Sequence, residues 1–276
     1  MKTVLLVVAL SLFTFTAHAR PRAVPPVPKP AAPQPTVFTE EMTWEEVRDA
    51  LKAGKTTVII ATGGVEQNGP YLVTGKHNYI VRAAAEAVAR KLGNALVAPV
   101  VPFVPEGDIA PPTGHMKYPG TISVRESTFA ALLTDICASY RAHGFREIIL
   151  IGDSSGNQDG MKAVAKRMSA ERAAGRTRVH YIPEYYDPPG FDDWLAKQGI
   201  RETDEGIHDS YSVSASLAAV HPTLIRAERR IAAGTFSING VPLAPLEKTR
   251  AMGRKILDWY ADVTAKAIQK AIAGKK

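Results

Sequence analysis

From about residue 37 to the end, short β-branched runs alternate with longer stretches of helical periodicity. Successive parallel strands need a crossover between them, so this alternation points to a largely parallel sheet with helices on its faces. Thr56 to Thr62 reads as the first core strand, Ala95 to Val101 as the second and Glu147 to Ile151 as the third, with a further strand near Arg178 to Pro183. Thr43-Trp44-Glu45-Glu46 and Ser123-Val124-Arg125-Glu126 have the form of capping boxes and should each open a helix. Further helices are expected from about Asn78 to Leu92, after Asn157 to about Ala174, over Asp209 to Val220 and over Leu246 to Ala273. The helix after Arg125 places Phe129, Leu132, Leu133, Ile136 and Tyr140 on one face and closes at Gly144.

The first 36 residues have a different composition. Lys2, the apolar run Val4 to Phe15 and Ala17-His18-Ala19 form the pattern of a secretory signal cleaved after Ala19, which implies a periplasmic or secreted protein. Its apolar part is too short to span a bilayer well, and no later stretch is long enough. Seven prolines between Arg20 and Thr36 favour polyproline II and cannot build a core, so residues 20–36 read as a tether and residues 37–276 as one domain. The net charge is +7, but Lys2, Arg20, Arg22 and Lys29 precede the domain, which is left with about +3. No basic stripe interleaved with aromatics is present, so nucleic acid is not an expected partner. Cys137 is the only cysteine, which rules out an intrachain disulfide and zinc-finger spacing; it falls on an apolar helix face as a buried, inert thiol.

Ligands of an open parallel sheet bind outside the carboxyl ends of its strands. Three loops leave such ends: Gly63 to Lys76, Pro102 to Thr121 and Gly152 to Gln158. The second is unusually long for a compact domain, which favours a functional role.

These loops carry a resemblance. Glu66-Gln67-Asn68-Gly69-Pro70-Tyr71-Leu72 with Gly75-Lys76-His77 resembles the E-Q-H-G-P-H-L-P-x-G-T-D motif of the creatininase (creatinine amidohydrolase) family. His115-Met116-Lys117-Tyr118-Pro119-Gly120-Thr121-Ile122-Ser123 resembles its H-x-x-F-P-G-T-I-S segment. Gly152 to Asn157 falls where the family has N-G-H-G-G-N, and Gly206-Ile207-His208-Asp209 near its H-A-G-E region. The resemblance implies a three-layer α/β/α fold, a homo-oligomer and a two-metal site that hydrolyses C–N bonds of amides or cyclic amides. Its ligand set carries over incompletely: Glu66 matches, Asn68 and Ser154 stand where the family has His, and His77 stands where it has Asp.

A neutral imidazole normally gives one nitrogen to one metal, whereas a carboxylate can bridge two. An Asn carbonyl is a poor ligand for a transition ion. The expected centre is therefore one divalent ion, Zn, Mn or Fe, held by Glu66, His77 and Asp153 with room for a water. His115, His208 and Asp209 are the candidates for catalysis, with His208 and Asp209 as a proton shuttle. The substrate would be a small-molecule amide other than creatinine, because the ligand set differs.

Blander roles are open for each residue. Asp153 could cap the following helix, His77 could be a polar helix start, and His208-Asp209 could be the start of a helix. Tyr185, Tyr186, Phe191 and Trp194 could wall a pocket or pack on the domain. Two other functions compete. Gly152-Asp153-Ser154-Ser155-Gly156 fits the G-x-S-x-G nucleophile elbow of a serine hydrolase, with Asp187, Asp192 or Asp204 and His208 or His221 as partners. The alternative is a binding protein whose site has decayed.

Overall fold

The computed structural model describes residues 35–170 and 177–274. The expected signal and nearly all of the tether lie outside the described residues, as does the expected end of the helix near Ala174.

Four parallel strands make the sheet: β1 (Thr57–Thr62), β2 (Ala95–Val97), β3 (Glu147–Gly152) and β4 (Arg178–Tyr181), in the order β2-β1-β3-β4. Alternation along the central strands fixes the layers, because successive side chains leave opposite faces. Ile59 and Ala61 of β1 and Ile149 and Ile151 of β3 pack against α2 (Lys76–Leu92) and α8 (Leu246–Ala273) through Val81, Ala85, Val88, Ala265 and Ile268. Val58, Ile60, Ile148 and Leu150 face α3 (Glu126–Ala142) and α4 (Gln158–Ala170) through Phe129, Leu133, Cys137, Met161 and Val164. Both faces are covered, which is why β1 and β3 are apolar nearly throughout and do not alternate with polar residues. This is the three-layer α/β/α architecture with a mostly parallel sheet.

Several further elements pack at the α2/α8 side: α6 (Tyr211–Val220) against α8 and α2, α5 (Phe191–Lys197), α7 (Ala227–Ala232), and the hairpin of β5 (Ser237–Ile238) and β6 (Val241–Pro242). Phe191 and Trp194 stack with Trp259 and Tyr260 of α8, so half of the aromatic group is packing, while Tyr185 and Tyr186 line a cavity. Buried Cys137 has its thiol pushed up to about 12 by burial, which keeps it protonated and unreactive.

Two local expectations are corrected. The Thr43 capping box forms and opens α1 (Trp44–Lys52). The Ser123 box does not: α3 starts later, with Arg125 at its N-cap. Ser123 Oγ instead accepts from Glu106 N at 2.9 Å and donates to Gly107 O at 2.6 Å, tying down the long loop. The second strand also stops short of Val101, since Pro99 has no N–H to give, and pairing returns only as a bridge between Thr62 and Val101. No helix among the described residues is long and apolar enough to cross a membrane.

Candidate functional site

The three loops expected to carry chemistry converge at the carboxyl ends of β1 and β3. Glu66 stands at the centre, buried on the loop after β1. Its carboxylate is held from several sides. His77, in the first turn of α2, brings Nε2 to 2.6 Å of Glu66 Oε1. His208, just before α6, brings Nε2 to 2.8 Å of the same oxygen. Lys76 Nζ lies 3.7 Å from it, with both side chains almost fully enclosed at 5% and 3% exposure. His115, on the loop after β2, places Nε2 3.2 Å from the other oxygen, Oε2, while Gln67 Nε2 lies 3.2 Å from His115 Nδ1. The His115 and His208 rings lie 4.5 Å apart.

The electrostatics follow from this crowding. Burial opposes charge on Glu66, yet the bonds from His208 and His77 and the nearby Lys76 hold its carboxyl well below the usual carboxylate range. Burial opposes charge on His77 as well, but Asp153 and Glu66 raise its imidazole overall. Burial lowers the His115 imidazole, with Glu66 opposing, and lowers the Lys76 ammonium against the pull of Glu66, Asp153, Asp209 and Glu106. Glu106 goes the other way: burial first and then the Glu66 charge push its carboxyl up to about 8.

Among the described residues, Glu66, His77 and His208 each offer a ligand atom within 4.8 Å of the others. Asp153, expected as the third ligand, does not complete this set. It sits behind His77, with Oδ2 2.7 Å from Nδ1 and Oδ1 accepting from the Tyr185 hydroxyl at 2.8 Å. A carboxylate on the far nitrogen of a ligating His is the usual outer support of a metal site, fixing tautomer and ring orientation. Asp153 therefore serves His77 and does not cap the following turn; Ser154 does that, accepting from Gly156 N at 3.3 Å. Asp209 is also placed differently from its expected partnership with His208. It is buried against Arg230, whose Nη2 lies 2.5 Å from Oδ2, and it accepts from Ser214 Oγ at 3.1 Å.

The donor chemistry fits a divalent ion. Two imidazole nitrogens and a carboxylate oxygen are common ligands of such an ion. The residues at the family's other ligand positions are engaged elsewhere. Asn68 spends its amide on Glu66 O and Val73 O, at 2.9 and 3.1 Å, and shapes the loop. Ser154 is 2% exposed and donates to Glu106 Oε2 at 3.3 Å. Its backbone is ordinarily extended, with φ of −112°, and not the sharp strained turn of a nucleophile elbow.

Glu106 and Lys76 are site members that the residue-by-residue reading missed. Glu106 had a signal, being an acid in the loop already singled out for its length. Gly156 packs against Pro105 O so closely that a Cβ would overlap it, which is how the loop after β2 reaches the loop after β3. Two spaces flank the centre. A groove of about 590 Å³ is lined by Gln67, Asn68, Tyr118, Pro119, Ile207 and His208, and a cavity of about 150 Å³ behind His77 and Asp153 is lined by Ile80, Ala84, Tyr185, Tyr186, Ser212 and Ser216.

A parallel α/β/α sheet with a His-His-carboxylate cluster at its carboxyl end defines a class of fold with a candidate metal site, and comparison with known proteins narrows it. The creatininase family, described as creatinine amidohydrolase, matches residues 40–268, and the chain belongs to that family. It is 32% identical over 115 residues to a 3-dehydro-scyllo-inosose hydrolase of Thermotoga maritima, covering 42% of this chain and 35% of that protein. It is 28% identical over 116 residues to the creatinine amidohydrolase of Pseudomonas putida, covering 42% of this chain and 44% of that protein. The match thus spans less than half the length of either relative. Among solved structures, a creatininase carrying a single tryptophan-to-alanine substitution superposes with a TM-score of 0.65 at 20% identity, covering 87% of this chain and all of that one. Other solved creatininases of this fold include a Zn-Zn type and a Mn form.

Proposed function

We propose that this chain is a hydrolase of C–N bonds in small linear or cyclic amides, using one divalent ion held by Glu66, His77 and His208. The observation that carries the reading is the meeting of two imidazole nitrogens on one buried carboxylate oxygen, with Asp153 orienting His77 from behind. Bound there, a Zn, Mn or Fe ion would acidify a water and polarise the substrate carbonyl. The groove beside His208 would admit the substrate. His115 faces the same centre, with burial favouring its neutral form. The Gln67 amide donates to His115 Nδ1, so the neutral ring carries its proton on Nε2 and would offer that N–H to the substrate. Asp209 contributes through the backbone, anchoring the segment that carries His208 by its bond to Arg230.

Membership of the creatininase family and the creatinine amidohydrolase relative support this class of chemistry, while the relative named for an inosose, a substrate without an amide, leaves the substrate open. Export after cleavage at Ala19 and assembly as a homo-oligomer belong to the same proposal; N-terminal sequencing of the secreted chain and light scattering test them. The decisive experiment measures metal content and hydrolysis of a panel of amides and lactams for wild type and Glu66→Gln. Stoichiometric metal and turnover that both vanish in a folded Glu66→Gln protein support the reading. Metal content unchanged by the substitution removes Glu66 from the centre. A folded wild type with neither metal nor turnover returns the chain to a binding role.

A further inference from the structure

We propose, resting on the one-ion reading above, that the Lys76 ammonium stands in for a second metal ion and so limits the centre to a single divalent cation. Lys76 is a buried lysine whose Nζ faces the very oxygen, Glu66 Oε1, on which His77 and His208 converge. Its Nζ lies 3.7 Å from that oxygen with both side chains enclosed, while buried Arg230 serves Asp209, so Lys76 is the lysine placed at the Glu66 carboxylate. Burying a charged amine is costly, and the Glu66 carboxylate 3.7 Å away offsets part of that cost. The side chain is tethered at the first position of α2, next to His77, so the cation cannot leave as a metal ion can.

The neighbouring substitutions agree with this. Asn68 and Ser154 occupy positions that could have served another ion, and both have turned to holding loops and Glu106. A site that has lost donors for one cation and gained an ammonium keeps much of its charge balance with one fewer ion. A divalent ion sharing Glu66 with Lys76 sits within several ångströms of Nζ, and repulsion between them at that range lowers ion affinity by at least about tenfold.

The test is metal titration of the full chain, first stripped with chelator, using Mn²⁺ and Zn²⁺ in competition with a chromophoric chelator. Wild type is compared with Lys76→Met and Lys76→Gln, each checked for folding by circular dichroism; two neutral variants guard against one failing to fold. Wild type is expected to take one ion, and both variants to bind it at least about tenfold more tightly or to take a second. Ions bound by the variants but not by wild type support the inference in its strongest form. One ion in all three proteins, with affinity changed less than about tenfold, overturns the inference and leaves the one-ion reading standing. Two ions in wild type overturn it likewise. No ion in any of the three overturns both.

Discussion

Replacing Glu106 with Gln should make the protein more stable at high pH and leave it unchanged at low pH. Glu106 is enclosed, and its carboxyl is pushed up from 4.5 to about 8 by burial and by Glu66. Between those values the folded protein holds a proton that the unfolded chain has released. Stability must therefore fall as pH rises through that window, since the folded state binds more protons. A shift of that size corresponds to at most about 5 kcal/mol at about 1.4 kcal/mol per unit. Glu66 and Glu106 titrate as a pair, so the loss is shared, and about 2–5 kcal/mol is the expected range. Gln keeps the shape and can donate from Nε2 to Glu66 as the protonated carboxyl does. Urea denaturation in the presence of chelator, from about pH 5 to about pH 9, should show the two proteins nearly equal at the acid end. At the alkaline end, Glu106→Gln should be the more stable by that amount. Parallel curves across the range would mean that Glu106 ionises like an exposed carboxyl, and the account of its burial against Glu66 would fail.

Two further substitutions separate support from ligation. Asp153→Asn removes the charge behind His77 while keeping an acceptor for its Nδ1–H, and should weaken metal binding by about 10–100-fold without abolishing it; a change under about threefold in metal titration would detach Asp153 from the centre. Arg230, 1% exposed, neutralises buried Asp209, so Arg230→Met should cost about 3–5 kcal/mol in urea denaturation. Adding Asp209→Asn should recover part of that, and a loss below about 1 kcal/mol in the single variant would show that the pair is not enclosed as described.

The sheet was legible because its central strands are buried on both faces and must be written in continuous apolar, β-branched runs, as Thr57 to Thr62 and Ile148 to Ile151 are. Once the strands are parallel, their carboxyl ends share an edge, so Glu66, His77 and Asp153 could be placed near one another from order alone. Elements held by tertiary contacts were not legible in the same way. The two-residue strands β5 and β6 are too short for any period to show, and α7 has only six residues. The Ser123 box failed because a hydroxyl that can cap a helix can equally bond a loop, and the Glu106 N–H and Gly107 C=O offered it both a donor and an acceptor.

Within the site, residue type was readable and direction was not. Asp153 and His208 both lie on loops, where no helical or strand period tells which way a side chain points. Asp153 is turned toward His77 Nδ1 by the Tyr185 hydroxyl on its other oxygen, a partner 32 residues away. His208 reaches Glu66 across 142 residues, and it can do so because Asp209, its neighbour, points the opposite way into Arg230. The adjacent pair that looked like a proton shuttle is thus divided: one side chain anchors the loop and the other enters the centre. The same division explains Ser154. Its G-D-S-S-G setting matches an elbow in letters, but the turn after β3 is extended at Ser154 and its hydroxyl donates to Glu106. A nucleophile there would need both a different φ and a base within reach, and Glu106, pushed up to about 8, holds its own proton through neutral pH and so cannot readily take the serine's.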